Sequence, residues 1–155
     1  LELTGNGTGG VTISGFTFPT SDGSSGQFIK TNGLGGLSFG TAGASLSHSD
    51  IADATTTVAS SATTVLNTFA VGTYRSAKYF ISIVDATNGR YEIVEANVTH
   101  DGSDAYISTF GSTTNYTGPL TTFSADVSGG NARVLVTNIS DNSTVFKFQA
   151  IYIDV

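Results

Sequence analysis

The chain of 155 residues contains no cysteine, methionine or tryptophan. Without cysteine there is no disulfide framework, no thiolate nucleophile and no cysteine-based metal centre. Such a protein working outside a cell needs another source of stability, and oligomerisation is the usual one. Histidine occurs twice, so His48 and His100 bound any imidazole chemistry. Charge is scarce: Asp, Glu, Lys and Arg make up 12% of the residues, about half the usual quarter. The balance is acidic, with a net charge of −6, and Lys30 is the only lysine or arginine before Arg75. A weakly charged acidic surface is a poor partner for nucleic acid or anionic lipid. No apolar run approaches the roughly 18 residues of a membrane-spanning helix. Neither nucleic-acid binding nor membrane insertion is therefore expected. The opening "LELTGNGTGG" lacks the basic and apolar regions of a signal peptide and begins on Leu1, so the chain reads as part of a longer polypeptide or a processed product.

What is present is strand composition: Val, Ile, Thr, Tyr and Phe, with glycine, serine and asparagine between them. Residues 1–47 hold 12 of the 19 glycines and only four aromatics, all Phe. This predicts a Gly-rich β stalk or hairpin region over 1–47. Residues 48–62 read as a linker, and 63–155 as an antiparallel β-sandwich of jelly-roll-like type, so the chain is all-β. Seven strands are expected in the sandwich, at 63–71, 76–86, 90–100, 105–111, 120–127, 131–139 and 144–155, with Asn-Gly, Asp-Gly and Gly-Gly at several of the turns. The last strand is apolar on both faces. Phe146, Phe148, Ala150 and Tyr152 alternate with Val145, Ile151 and Ile153, so this strand is covered on both sides or passes into a subunit interface. In the linker, Ser49 or Asp50 could cap one or two helical turns over 49–54, but the threonine runs disfavour a long helix.

Few motifs suggest chemistry. "GSSGQFIKTNGLGGLSF" (23–39) has Lys30 before Thr31, but Ile29 stands where a phosphate loop needs glycine. It reads as a hairpin of "QFIKT" and "GLSFG" around "NGLG". "HDGSD" (100–104) could be a fragment of a metal site, yet it lacks calcium-loop spacing and reads as a polar turn. Glu92 and Glu95 are three apart and so face opposite sides of a strand. They form no paired-carboxylate site by themselves, and ion pairing with Lys78, Arg75 or Arg90 is expected. There is no G-x-S-x-G elbow. Five N-x-S/T matches, at Asn6, Asn97, Asn115, Asn138 and Asn142, are what chance yields in a chain this rich in Asn, Ser and Thr. No catalytic residue, metal or cofactor is expected.

Two blocks resemble phage virion structural proteins. "FTFPTSDGSSGQFIKTNGLGGLSFG" resembles a segment of tailed-phage fibres through Pro19, Asp22, Gly23, Gly26, Gln27, Asn32, Gly33, Leu37, Ser38 and Phe39. "YRSAKYFISIVDATNGRYEIVEANVTHDGSDAYISTFG" resembles a C-terminal β-domain of marine and cyanobacterial phages through Tyr74, Arg75, Ser76, Lys78, Tyr79, Tyr91, Glu92, His100, Asp101, Gly102 and Tyr106. The resemblance implies a trimeric, non-enzymatic tail fibre or related appendage located in the virion. A lone Gly-rich stalk buries too little surface, so Val11, Ile13, Phe16, Phe18, Phe28, Ile29, Leu37 and Phe39 are expected to share a core between three copies. Loops 112–119 and 140–143, with Asn115, Tyr116, Asp141 and Asn142, are expected to meet a host-surface glycan or protein. The rival readings are a head-fibre, neck or baseplate component that contacts only other virion proteins, an extracellular carbohydrate-binding module with or without calcium, and a depolymerase.

Overall fold

The computed structural model describes residues 11–41 and 46–155. The expectations for residues 1–10, including Asn6, and for 42–45 lie outside the described residues. The chain divides into two compact units, Leu1–Ser45 and Leu46–Val155. Every element described is a strand.

In the first unit, β1 (Thr12–Ile13) pairs with β2 (Phe16–Thr17), and β3 (Gln27–Thr31) pairs with β4 (Leu37–Thr41). The second pair is the hairpin expected from "NGLG". Its loop is set by Asn32, whose Oδ1 accepts from the N–H groups of Leu34 and Gly36 at 2.8 and 2.9 Å. The turn before β3 is closed by Gln27, whose Oε1 accepts from Ser24 N–H at 2.7 Å. Gly23 leaves room for the Phe39 ring: a Cβ there would lie 2.6 Å from Phe39 Cγ. The hairpins touch where Thr17 N–H donates to Gly35 O at 2.8 Å. Gly35, at φ +84°, has no space for a side chain, because its Cβ would sit 2.7 Å from Gly15 O.

The second unit is a sandwich of two antiparallel sheets. Strands β6 (Thr63–Ala70), β7 (Tyr74–Asp85), β8 (Arg90–His100), β9 (Ala105–Thr114), β10 (Thr121–Ser128), β11 (Asn131–Asn138) and β12 (Thr144–Asp154) fall close to the seven expected segments. An eighth strand, β5 (Ser49–Val58), occupies the segment read as a linker with a helical turn, and the unit begins at Leu46 rather than at 63. The helical expectation fails because all ten residues of β5 pair with β12, from Ser49 opposite Ile153 to Val58 opposite Thr144. The consecutive threonines at 55–57 favour that extended backbone. As an edge strand, β5 turns mainly Ala52 and Val58 toward the core, which is why its sequence lacks large apolar residues.

The sheet orders are β5-β12-β7-β8-β9 and β10-β11-β6. Between them lies one core, with Tyr79, Ile81, Ile83, Phe146, Val134, Val136 and Leu120 almost fully buried. The layers are also tied by polar bonds: Tyr79 and Tyr152 hydroxyls both donate to Asn67 Oδ1, at 3.1 and 2.8 Å. Burial raises the Tyr79 phenol well above its ordinary range, so this bond persists at any physiological pH. Gly111, at φ +60°, forms a bulge in β9 where pairing slips between Ile93 and Glu95. Such a bulge re-aims the residues beside it. Here it turns Ser112 toward the core side, onto Glu92.

Candidate functional site

The sandwich has two distinct ends. At one end the domain begins: Asp154 N–H donates to His48 O, Val155 N–H to Thr73 O and Val71 N–H to Gly130 O. The opposite end gathers the turns at 59–62, 86–89, 115–120 and 139–143. All four residues expected to bind a receptor lie there.

Asn138 organises this end. Its buried amide donates to Val58 O, Ala59 O and Asn142 O at 3.0, 3.1 and 2.8 Å. Its Oδ1 accepts from Ser140 N–H at 2.9 Å and Thr144 Oγ1 at 3.1 Å. The turn at 139–143 is thereby fastened to the one following β5. Asn142 takes part through its backbone carbonyl, and Asp141 stands exposed beside it. Asp85, also buried, joins this turn to the one between β7 and β8. Its carboxylate accepts from Ser140 Oγ at 2.6 Å, Asn88 N–H at 3.1 Å and Asn88 Nδ2 at 3.0 Å. The Ser140 bond, helped by those from Asn88, outweighs desolvation and holds the Asp85 carboxyl below its usual range.

The loop leaving β9 is pinned at both ends. Asn115 Nδ2 donates to Gly89 O at 3.0 Å, while Tyr91 N–H donates to Asn115 Oδ1 at 2.8 Å. Leu120, almost fully buried, donates its N–H to Glu92 Oε2 at 2.7 Å, and Ser112 Oγ donates to Glu92 Oε1 at 2.8 Å. Between these anchors Tyr116 stays 42% exposed. The Arg90 guanidinium carbon lies 4.0 Å from its ring centroid, within cation–π range. Asn115 and Asn142 are thus braces, whereas Tyr116 and Asp141 face solvent. The sequence pattern points to Arg90 only as an ion-pair partner of Glu92 or Glu95, whereas in the structure it stacks on Tyr116 and Glu95 pairs with Lys78. Nothing in the sequence marks its stacking on a residue of another loop.

The other sequence candidates separate. Glu92 is buried on the core side, and Glu95 is on the opposite face, paired with Lys78 Nζ at 2.8 Å. Their opposition matches the strand parity read from the sequence. In "HDGSD", Asp101 Oδ1 accepts from Ser103 and Asp104 N–H at 2.9 and 2.8 Å, and backbone bonds of this kind, Asp104 first, lower its pKa. His100 points inward instead, its Nε2 2.7 Å from Tyr74 O. The expected chain–chain contacts of the first unit are half-covered. Ile13, Phe16, Phe28 and Ile29 remain 44–47% exposed, and Val11, Phe18, Leu37 and Phe39 are partly buried within the chain itself. Among the described residues no cluster of three or more His, Asp or Glu side chains could hold a metal ion.

No protein family matches the sequence, and no curated protein resembles it. Among solved structures it is similar to the tailspike protein of Acinetobacter baumannii phage AM24, at 12% identity and a TM-score of 0.40, over 68% of this chain and 26% of that one. It is similar to the tailspike protein of Acinetobacter phage vB_ApiP_P1 at 17% identity and a TM-score of 0.36, over 74% and 23%. The third is the tailspike protein of Acinetobacter baumannii bacteriophage Fri1, described as a capsular polysaccharide depolymerase, at 16% identity and a TM-score of 0.35, over 70% and 20%. The chain thus spans a fifth to a quarter of these tailspikes, and a likeness of this degree assigns no activity.

Proposed function

We propose that the chain is a homotrimeric virion appendage of a tailed phage whose sandwich presents its loop end to a glycan on the host surface. The observation that carries this reading is the Tyr116–Arg90 stack. It sits on a loop pinned by Asn115 and Leu120, at the end of the domain opposite Leu46. A ring face and a guanidinium held on a rigid frame suit sugars, which offer apolar C–H faces and hydroxyl or carboxylate acceptors. Preorganisation matters because a mobile loop would lose affinity to ordering on binding. The virion assignment draws on the two sequence blocks described above. In the first, Asp22 to Phe39 act as turn and packing residues of a hairpin. The interface role of Val11, Ile13, Phe16, Phe18, Phe28, Ile29, Leu37 and Phe39 belongs to the same proposal. The mechanism is adhesion without bond cleavage, and the partners are host glycan, further virion proteins and two more copies of the chain.

Deleting 112–119 would remove Asn115 and unseat Leu120, so point variants are the sounder test. The full chain, labelled and applied to an array of bacterial surface polysaccharides, is expected to bind at least one of them. Tyr116→Ala and Arg90→Ala should each weaken that binding tenfold or more with the circular dichroism spectrum unchanged. Binding unaffected by Tyr116→Ala would refute the site, and release of shortened polysaccharide would refute the non-enzymatic reading.

A further inference from the structure

The outer face of the three-stranded sheet is hydroxyl-rich, as a solvated antiparallel face should be. Thr63 bonds Thr137 at 2.7 Å and Arg133 pairs with Asp126. The outer face of the five-stranded sheet differs. Ile51, Phe80, Ile93, Phe110, Ile151 and Ile153 all point away from the core and are 39–47% exposed. They come from all five strands, so the patch runs across the whole sheet. Lys78 crosses it flat, with Nζ 5.2 and 5.4 Å from the Phe80 and Phe110 ring centroids and its charge met by Glu95. Toward one end lies a shallow groove of 540 Å³ bounded by Lys78, Tyr106, Ile151 and Ile153. Gln149, Ser76, Ser82 and Asn97 share this face, but Ile51, Ile151 and Ile153 adjoin one another, and Phe80 stands diagonally between Ile151 and Ile93. Isolated apolar residues on a surface are ordinary, whereas six on one sheet face mark an interaction site.

We propose that this face is where copies of the chain pack on one another, which assigns the second unit its own inter-subunit contact. The inference rests on the oligomeric reading above and locates it on β12, β7 and β8. Two features point to a second copy. Five strands about 4.8 Å apart and about ten residues long span roughly 24 by 33 Å, or about 800 Å², the area each partner contributes to a standard stable interface. The face is also electrically neutral, with Lys78 and Lys147 balanced by Asp53 and Glu95, in a chain of net charge −6. Two acidic copies repel through most of their surfaces, and this one brings them together without opposing like charges. The doubly apolar β12 then has a partner for each face: the core inside and the neighbouring chain outside.

The test uses the full chain. Light scattering on the wild type should give a mass several times 15.9 kDa. Phe80→Glu combined with Ile151→Glu should part the sandwich contact, lowering that mass or, where residues 11–39 still join the copies, speeding maleimide labelling of Ile93→Cys in that background. Thr68→Glu combined with Ser124→Glu adds the same charge to the three-stranded sheet and should leave it unchanged. Because the chain has no cysteine, a thiol placed by Ile93→Cys is unique. It should react with a bulky maleimide at least tenfold more slowly than one placed by Ser124→Cys, which gives a readout even if the charged double variant does not fold. A wild-type oligomer that survives Phe80→Glu/Ile151→Glu with Ile93→Cys freely labelled overturns this face and leaves the oligomeric reading standing. A wild-type monomer overturns both.

Discussion

Replacing Asn138 by alanine removes five hydrogen bonds that join two turns and two strands. Three of them, to Val58 O, Ser140 N–H and Thr144 Oγ1, are buried. A buried polar group left without its partner costs about 1–3 kcal/mol. The two bonds nearer the surface, to Ala59 O and Asn142 O, can be replaced by water and add less. The expected loss for Asn138→Ala is therefore about 3–9 kcal/mol, a large part of the roughly 5–15 kcal/mol that holds a typical domain together. Asn138→Asp should lose still more, because it keeps the acceptor oxygen but turns a carboxylate toward three carbonyls. Urea unfolding followed by tyrosine emission suits the measurement: the chain has no tryptophan, and all six tyrosines lie between 74 and 152, so the signal reads the sandwich alone. A loss below about 1 kcal/mol in Asn138→Ala would refute the idea that this residue holds the loop end together.

Two further outcomes are expected. Gly35→Ala should strip hydrogen-exchange protection from the Thr17 amide, because its Cβ meets Gly15 O at 2.7 Å. Gly33→Ala, also at positive φ but facing open space, should spare that amide; equal effects would contradict the contact. Asp85 has a folded-state pKa below its ordinary value, so it contributes stability that is complete above that value and is lost as pH falls through the folded one. Between about pH 5 and pH 2, the urea midpoint of Asp85→Asn should fall less steeply than that of the wild type, and parallel slopes would count against the Ser140 bond as the cause.

Most of the strand plan could be read in advance because its punctuation is chemical. Gly89, Gly102, Gly129 and Gly130 take positive φ at the turns where Asn-Gly, Asp-Gly and Gly-Gly announced them. The two-faced character of β12 was likewise visible in its alternation. β5 was missed because an edge strand with one buried face of small residues carries too little apolar signal to distinguish it from a linker. The site was only half legible. The loops were identifiable by composition, but the division of labour within them was not. Whether an asparagine braces or binds depends on which backbone carbonyls arrive beside it, and those meeting Asn138 come from residues up to 80 positions away.

The position of β12 also bears on how the domain is made. It lies between β5 and β7, so the first and last strands of the domain are hydrogen-bonded neighbours along ten residues. On the ribosome, β7, β8 and β9 can meet as a meander as they emerge. Until β12 has been synthesised, β7 has an open edge and β5 has no strand to pair with. Contacts of such long sequence separation slow folding and keep strand edges exposed meanwhile. The five-stranded sheet, and any assembly that uses its outer face, is therefore completed only once β12, the last strand of the domain, has been made.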